Sequence, residues 1–118
     1  MDFLKRSGYR GVTYMPSRNT RAQMERLRAL AEQLGFFEIS GEDINSTRQS
    51  FVCLAQRDPF FDHLYDATWA LIAHENLATK DPEAGFFAPK AVAKYPDIAE
   101  RTRAFAKVAL DAQRRGGF

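Results

Sequence analysis

The sequence is poor in cysteine and histidine and has no long apolar run. Its one cysteine, Cys53, excludes an intrachain disulfide, and the surrounding "SFVCLAQ" indicates a buried apolar segment in a protein of a reducing, cytoplasmic setting. No stretch approaches the roughly 18 apolar residues of a membrane-crossing helix, so we expect no membrane partner. Fingerprints of a P-loop, a dinucleotide site or a nucleophile triad are also absent.

Charge gives little indication of a partner. The chain has 17 basic and 15 acidic side chains among 118 residues, a balance that indicates neither a nucleic-acid nor a membrane surface. Lys5, Arg6 and Arg10 at the amino terminus could contact RNA or DNA, but they are few, and we expect no nucleic-acid partner. With 45% hydrophobic residues, a chain of this length can form one compact domain.

The first half of the sequence predicts a strand, a helix and a second strand. "GVTYM" is rich in β-branched and aromatic residues and is closed by Pro16, so it indicates a strand. The following helix should begin after Thr20, which forms a capping box with Gln23, and should end at Gly35. "FFEIS" then predicts a second strand. Because a helix joins the two strands, we expect a parallel βαβ unit whose strands end at the same edge.

The second half predicts helices. Asp58 and Pro59 are the cap and first turn of a long helix, and a short helix and an amphipathic helix after Pro96 follow. The long helix should bury one stripe of side chains: Phe61, Leu64, Tyr65, Thr68 and Ile72. His63 and His74 lie on it about 16 Å apart along the axis and cannot share a metal ion. The predicted class is α/β, one domain over residues 1–118 with a βαβ unit at 8–50 and a mainly helical region at 58–115.

Two short motifs carry a family resemblance. They stand at the ends of the two predicted strands: Tyr14, Met15 and Pro16, then Ser40, Gly41, Glu42, Asp43, Ile44 and Asn45. This order resembles the last βαβ segment of the distorted β/α barrel in the PHP family of metal-dependent phosphoesterases. In that family the first strand ends in a Tyr-His-Pro type stretch and the second in Gly-Gly-Ser-Asp-x-His. The resemblance covers roughly a third of the chain.

The resemblance implies a chemistry for this edge of the sheet. Asp43 falls on the family's metal-binding aspartate, so the resemblance implies phosphate-ester hydrolysis by metal-activated water, with Asp43 and Glu42 as catalytic groups. Asp43 and Asn45 would hold a divalent metal ion, manganese, zinc or magnesium. Arg18 and Arg48 lie on the two loops expected to share the edge and are candidates to bind a phosphorylated small molecule or another anion.

A histidine deficit leaves two functions open. Asn45 and Met15 stand where the family has histidine, and its amino-terminal paired histidines have no counterpart here. Because a metal centre that activates water needs several ligands from different strands, we expect the chain to act together with the remainder of a longer enzyme or with another chain. The alternative is a non-catalytic module that binds an anion or a protein during assembly.

Two strands alone also predict self-association. Their edges are unpaired and their apolar faces exceed what one crossover helix covers, so we expect a homodimer or a larger oligomer. The contact would form through strand edges or through a surface of Phe60, Phe61 and Trp69, near the Asp43 edge. Light scattering should give at least twice the mass of one chain; a single-chain mass over a wide concentration range would contradict this expectation.

Overall fold

The computed structural model describes residues 2–118, which form a mixed fold with far more helix than strand, as the sequence predicts. The helices and strands, in chain order, are α1 Asp2–Arg6, β1 Gly11–Tyr14, α2 Arg21–Leu34, β2 Phe37–Ser40, α3 Asp62–Lys80, α4 Pro89–Lys94 and α5 Ile98–Arg114. The sequence pattern did not predict α1 or the 3₁₀ turn at Leu54–Arg57. The predicted start of the long helix is corrected as well, because Asp58 caps a separate 3₁₀ turn at Pro59–Phe61 and α3 begins at Asp62.

The described chain divides into two compact units. The amino-terminal unit ends at Leu64, and the carboxyl-terminal unit extends from Tyr65 to Phe118, so the boundary falls inside α3. The amino-terminal unit contains both strands. It also contains all the candidate site residues that the sequence predicts: Arg18, Glu42, Asp43, Asn45 and Arg48. The expectation of a single domain over residues 1–118 stays a prediction.

The amino-terminal unit is a βαβ unit. β1 and β2 pair in parallel, with Gly11 opposite Phe37 and Tyr14 opposite Ser40. The crossover helix α2 begins at the predicted capping box, in which the Thr20 side chain accepts from a backbone amide and the Gln23 side chain accepts from the Thr20 amide. Gly35 ends the helix with a φ of 70°, a left-handed conformation that glycine adopts without a steric penalty.

Register decides which strand residues share a face. Val12 pairs with Glu38, and the side chains of paired residues point to the same side of the sheet. Tyr14 lies two residues after Val12 and therefore on the same face. Tyr14 and Glu38 thus share one face of the sheet. Tyr14 forms a buried core with Met24, Phe61 and Leu64. This placement corrects the assembly surface expected from the sequence, because Phe61 is only 4% exposed and cannot contribute to an external contact.

In the carboxyl-terminal unit the helices occur where the sequence predicts them, with Asp97 capping α5 through the Glu100 amide. Two of the five residues predicted to be buried on the long helix were wrong, because Tyr65 is 60% exposed and Thr68 is also exposed. The buried residues of this part of α3 are instead alanines, at Ala67, Ala70 and Ala73.

A buried arginine organises the loop that precedes α5. Arg101 is 5% exposed and donates to the backbone carbonyls of Tyr95 at 2.9 Å, Pro96 at 3.2 Å and Phe86 at 3.4 Å. Its guanidinium also lies over the Phe86 ring. Because all of these partners are uncharged, burial lowers the pKa of Arg101, while Asp97 opposes that shift.

The capping box of α2 gives a stability prediction. Thr20→Ala removes the side-chain acceptor of the first turn and should lower the free energy of unfolding by about 1 kcal/mol. Urea denaturation followed by far-ultraviolet circular dichroism measures the change. Arg26→Ala, an exposed substitution on the same helix, is the control and should stay within about 0.5 kcal/mol of the parent. Equal changes in the free energy of unfolding for the two substitutions would show that the Thr20 cap does not stabilise the helix.

Candidate functional site

The loops that follow the two strands meet at the carboxyl edge of the sheet. The Gly41 amide donates to the Tyr14 carbonyl at 3.2 Å, which extends the strand pairing by one bond. Just beyond it, the Ser17 hydroxyl donates to the Glu42 carboxylate at 2.6 Å. The expectation that both loops emerge on one edge is therefore confirmed, because parallel strands end on the same side.

Glu42 is the carboxylate around which these loops are organised. One of its oxygens accepts from the Ser17 hydroxyl, and the other accepts from the Ser17 amide at 3.4 Å and from the Cys53 thiol at 3.1 Å. These hydrogen bonds, from Ser17 first and then Cys53, together with the Arg18 charge, lower the pKa of Glu42. The side chain is thus an ionised hydrogen-bond acceptor that fixes the two loops to each other.

Cys53 differs from what its neighbours in the sequence indicate. The surrounding segment is exposed, with Phe51 at 88% and Leu54 at 63%, so the expectation of a buried apolar segment is wrong. Burial of the thiol itself, and its hydrogen bond to the anionic Glu42, raise the pKa of Cys53. Because the thiolate is the nucleophilic form, this cysteine is a hydrogen-bond donor here and a poor nucleophile.

The loop from residue 43 to 49 is held mainly by Gln49. Its side-chain oxygen accepts from the amides of Asn45 at 2.8 Å and Ser46 at 3.1 Å, and its nitrogen donates to the Asp43 carbonyl at 2.8 Å. Arg18 also donates to that carbonyl, at 3.4 Å. These contacts hold the backbone of Asp43, so its carboxylate is not the group that anchors the loop.

A groove of about 440 Å³ opens between the two loops. Its polar lining consists of Ser17, Arg18, Glu42, Gln49, Ser50 and Cys53. The structure therefore brings together Arg18 and Glu42 from the sequence-predicted set, whereas Asp43, Asn45 and Arg48 are exposed and do not line this groove. With a guanidinium on one loop and a carboxylate on the other, the groove suits a polar ligand that has both an acceptor and a donor group.

The donor set falls short of a complete metal centre. Among residues 2–118 no three side chains of His, Cys, Asp or Glu come together as a metal ion requires. The Glu42 oxygens are already engaged by Ser17 and Cys53, so Asp43 and Asn45 would supply two ligating residues at most. The residues described at this edge do not fit a self-contained hydrolytic metal site, for which three protein ligands are usual.

A second polar cluster lies on the sheet face, and sequence reasoning missed it. The Tyr14 hydroxyl is 2.9 Å from His63 Nε2 and 3.4 Å from a Glu38 oxygen, and those two atoms are 3.5 Å apart. Burial first, and then the charge of Glu38, raise the pKa of Tyr14. The strand register could have shown that Tyr14 and Glu38 are neighbours, but nothing in the sequence places His63 beside them.

Comparison with known proteins adds no identification. No protein-family model, no curated protein and no solved structure matches this chain. None of the helices that the structure describes is long and apolar enough to span a bilayer. Any functional conclusion therefore depends on the two polar clusters and the surfaces around them.

The contact between Glu42 and Cys53 gives a reactivity prediction. Glu42→Gln removes the negative charge that raises the pKa of Cys53 and offers an amide donor to the thiolate, so the thiol pKa should fall. Iodoacetamide should then alkylate Cys53 several-fold faster at a fixed, mildly alkaline pH. The rate is measured by mass spectrometry over a pH series.

Glu25→Gln is the matched control, because Glu25 is an exposed carboxylate on α2 that pairs with Arg21. It should leave the alkylation rate unchanged. If both variants reacted at the parent rate, the Glu42 carboxylate would have no influence on the thiol.

Proposed function

We propose that the chain supplies one wall of a phosphate-ester site of the PHP type, with the remaining groups coming from other polypeptide. In this proposal Asp43 contributes a metal-binding carboxylate, with Asn45 beside it, and Glu42 is the second catalytic carboxylate. Arg18 binds the phosphate, and Arg48 lies on the same pair of loops as a second candidate. The observation that carries the proposal is the junction of both strand-end loops at Ser17 and Glu42.

The positions of the charged groups support this proposal. Arg18 lines the groove and donates a hydrogen bond to the Asp43 carbonyl. The Arg18 guanidinium therefore lies near the segment that contains the exposed Asp43 carboxylate. Guanidinium groups suit phosphate because their donors match its oxygens in pairs. Glu42 has a lowered pKa and stays ionised near neutrality, so it can accept a hydrogen bond from a ligand hydroxyl.

The apolar surface beside the groove supports a composite site. Phe51, Val52 and Leu54 are exposed by more than half, directly after the loop that contains Asp43. An exposed apolar patch next to polar groups is typical of an interaction surface. Polypeptide packed on this patch could supply the ligands that the described residues lack.

A metal and turnover assay tests the role of Asp43. The full chain is loaded with manganese or zinc and assayed with p-nitrophenyl phosphate, and Asp43→Ala is compared with the parent. If the proposal is right, Asp43→Ala weakens metal uptake at least about tenfold and lowers any turnover by the parent with it, since loss of a group that orients a metal site has at least that effect. Glu75→Ala, which removes an exposed carboxylate in α3, should change nothing.

Turnover that is unchanged in Asp43→Ala would exclude the proposed role of this residue. Absence of turnover in the parent, together with metal uptake that Asp43→Ala does not alter, would likewise contradict the enzymatic proposal and favour the second function.

The second candidate function is a non-catalytic module that binds an anion or a protein at the same edge. The observation in its favour is that Ser17 and Cys53 already satisfy Glu42, so the groove is stable without a metal ion. Isothermal titration with inorganic phosphate in the presence of a chelator discriminates the two functions. Phosphate binding that Arg18→Gln abolishes would support the module, whereas tight stoichiometric manganese bound through Asp43 would contradict it.

A further inference from the structure

The cluster on the sheet face places a glutamate where a strand usually buries an apolar side chain. The Glu38 side chain is 11% exposed and His63 is 24% exposed, and both lie beside the buried Tyr14 ring. Burying a carboxylate is costly unless hydrogen bonds or a positive charge compensate it. The atoms around Glu38 therefore show what compensation is available.

The hydrogen-bond partners of His63 fix the position of its proton. Nδ1 lies 3.1 Å from the Phe60 carbonyl, and because a carbonyl only accepts, Nδ1 must be the donor. In the neutral ring Nε2 then has a lone pair and points to Tyr14 and Glu38. This is the arrangement that a metal-binding histidine has, since its other nitrogen usually donates to a carbonyl or a carboxylate.

With a neutral His63 ring, the three polar atoms of the cluster have one hydrogen-bond donor too few. The Tyr14 hydroxyl has a single hydrogen, yet both Nε2 of His63 and an oxygen of Glu38 lie within reach of it. Those two atoms, 3.5 Å apart, are both acceptors when the ring is neutral, and no hydrogen can lie between them. A cation among the three atoms would compensate both lone pairs at once.

The spacing of the three atoms matches the coordination shell of a metal ion. Donors bound to tetrahedral zinc at about 2.0–2.1 Å lie about 3.3–3.4 Å from one another. The three separations here are 2.9, 3.4 and 3.5 Å. An imidazole nitrogen, a carboxylate oxygen and a phenol oxygen are also donors of the borderline to hard type that zinc accepts.

We propose that Tyr14, Glu38 and His63 form a binding site for a zinc-class divalent cation. It occupies the sheet face rather than the groove at the strand ends, so it does not depend on the function proposed for Asp43. Three protein donors leave a fourth position for water or a ligand, as in zinc sites that remain open. The partly exposed His63 ring provides the side from which the ion enters.

One neighbouring charge bears on the strength of the site. Arg28 donates to the same Phe60 carbonyl as His63, and its positive charge opposes a nearby cation. Glu32 pairs with that guanidinium at 3.0 Å and so offsets part of the opposition.

Zinc titration of the full chain, after treatment with a chelator, tests the proposal. Calorimetry should show one zinc ion per chain that is still bound in Asp43→Ala. His63→Gln and Glu38→Gln should weaken binding by more than the roughly 10- to 100-fold that loss of an outer partner produces. Tyr14→Phe removes the phenol oxygen and should also weaken binding.

Two control variants show whether zinc binds at these three residues or elsewhere on the chain. His74→Gln alters the other histidine, whose Nδ1 accepts from the Phe86 amide, and should bind zinc like the parent. Asp43→Ala should also retain the site, so failure of the phosphoesterase proposal and failure of this one are distinguishable. Zinc retained by both His63→Gln and Glu38→Gln, or lost in His74→Gln, would overturn the assignment.

Cobalt(II) binding to the parent protein gives a readout that does not depend on the folding of a variant. Coordination by one imidazole and two oxygens should produce visible absorption bands of a four- or five-coordinate ion. Zinc should displace these bands at one equivalent. If no bands appear and no zinc binds, the three residues form only a structural hydrogen-bond cluster and the proposal is wrong.

Discussion

Parallel pairing of two four-residue strands is the constraint on which the amino-terminal unit depends. An antiparallel pair would place the loops after Tyr14 and after Ser40 at opposite ends of the sheet. Because the strands run the same way, both loops leave from one edge, and Ser17 comes within 2.6 Å of Glu42. The crossover through α2 makes this possible, so the capping of that helix at Thr20 and Gly35 indirectly positions the groove.

Hydrogen bonds of two polar side chains hold the carboxyl edge of the sheet together. Glu42 joins Ser17 to Cys53, and Gln49 binds three backbone groups of the loop that contains Asp43, so these two side chains order most of the loop between Gly41 and Cys53. Each of these hydrogen bonds contributes only a modest free energy where it is exposed to water. A loop held in this way adjusts easily to a ligand or a partner chain. The carboxyl-terminal unit shows the opposite arrangement, with the buried Arg101 fixing its loop through three carbonyls.

The local elements could be predicted from the sequence because their signals are local. Thr20 with Gln23, Gly35, and Asp97 after Pro96 satisfy or stop neighbouring backbone groups, and the structure has helix ends at each of them. The contacts of Cys53 and His63 could not be predicted in the same way. Each depends on a partner 11 to 49 residues away, Glu42 or Tyr14, that only tertiary folding brings close.

The burial of individual side chains could not be predicted from the sequence either. A helical stripe of large side chains favoured Tyr65 as a buried residue, yet small alanines fill that role in α3. Close packing of helices often selects small residues, and periodicity alone does not distinguish a large exposed ring from a buried one. The exposed Phe51 illustrates the same limit, because an apolar residue at the surface is informative only once its neighbours are known.

Tyr14 belongs to both polar clusters at once. Its hydroxyl lies between His63 and Glu38, while its carbonyl accepts the amide of Gly41, the residue before Glu42. One residue at the end of β1 therefore contacts both clusters, the sheet-face cluster through its side chain and the strand-end loops through its backbone. The exchange of the Gly41 amide with deuterated solvent depends on how long its bond to Tyr14 survives, so this amide reports on the order of the strand end.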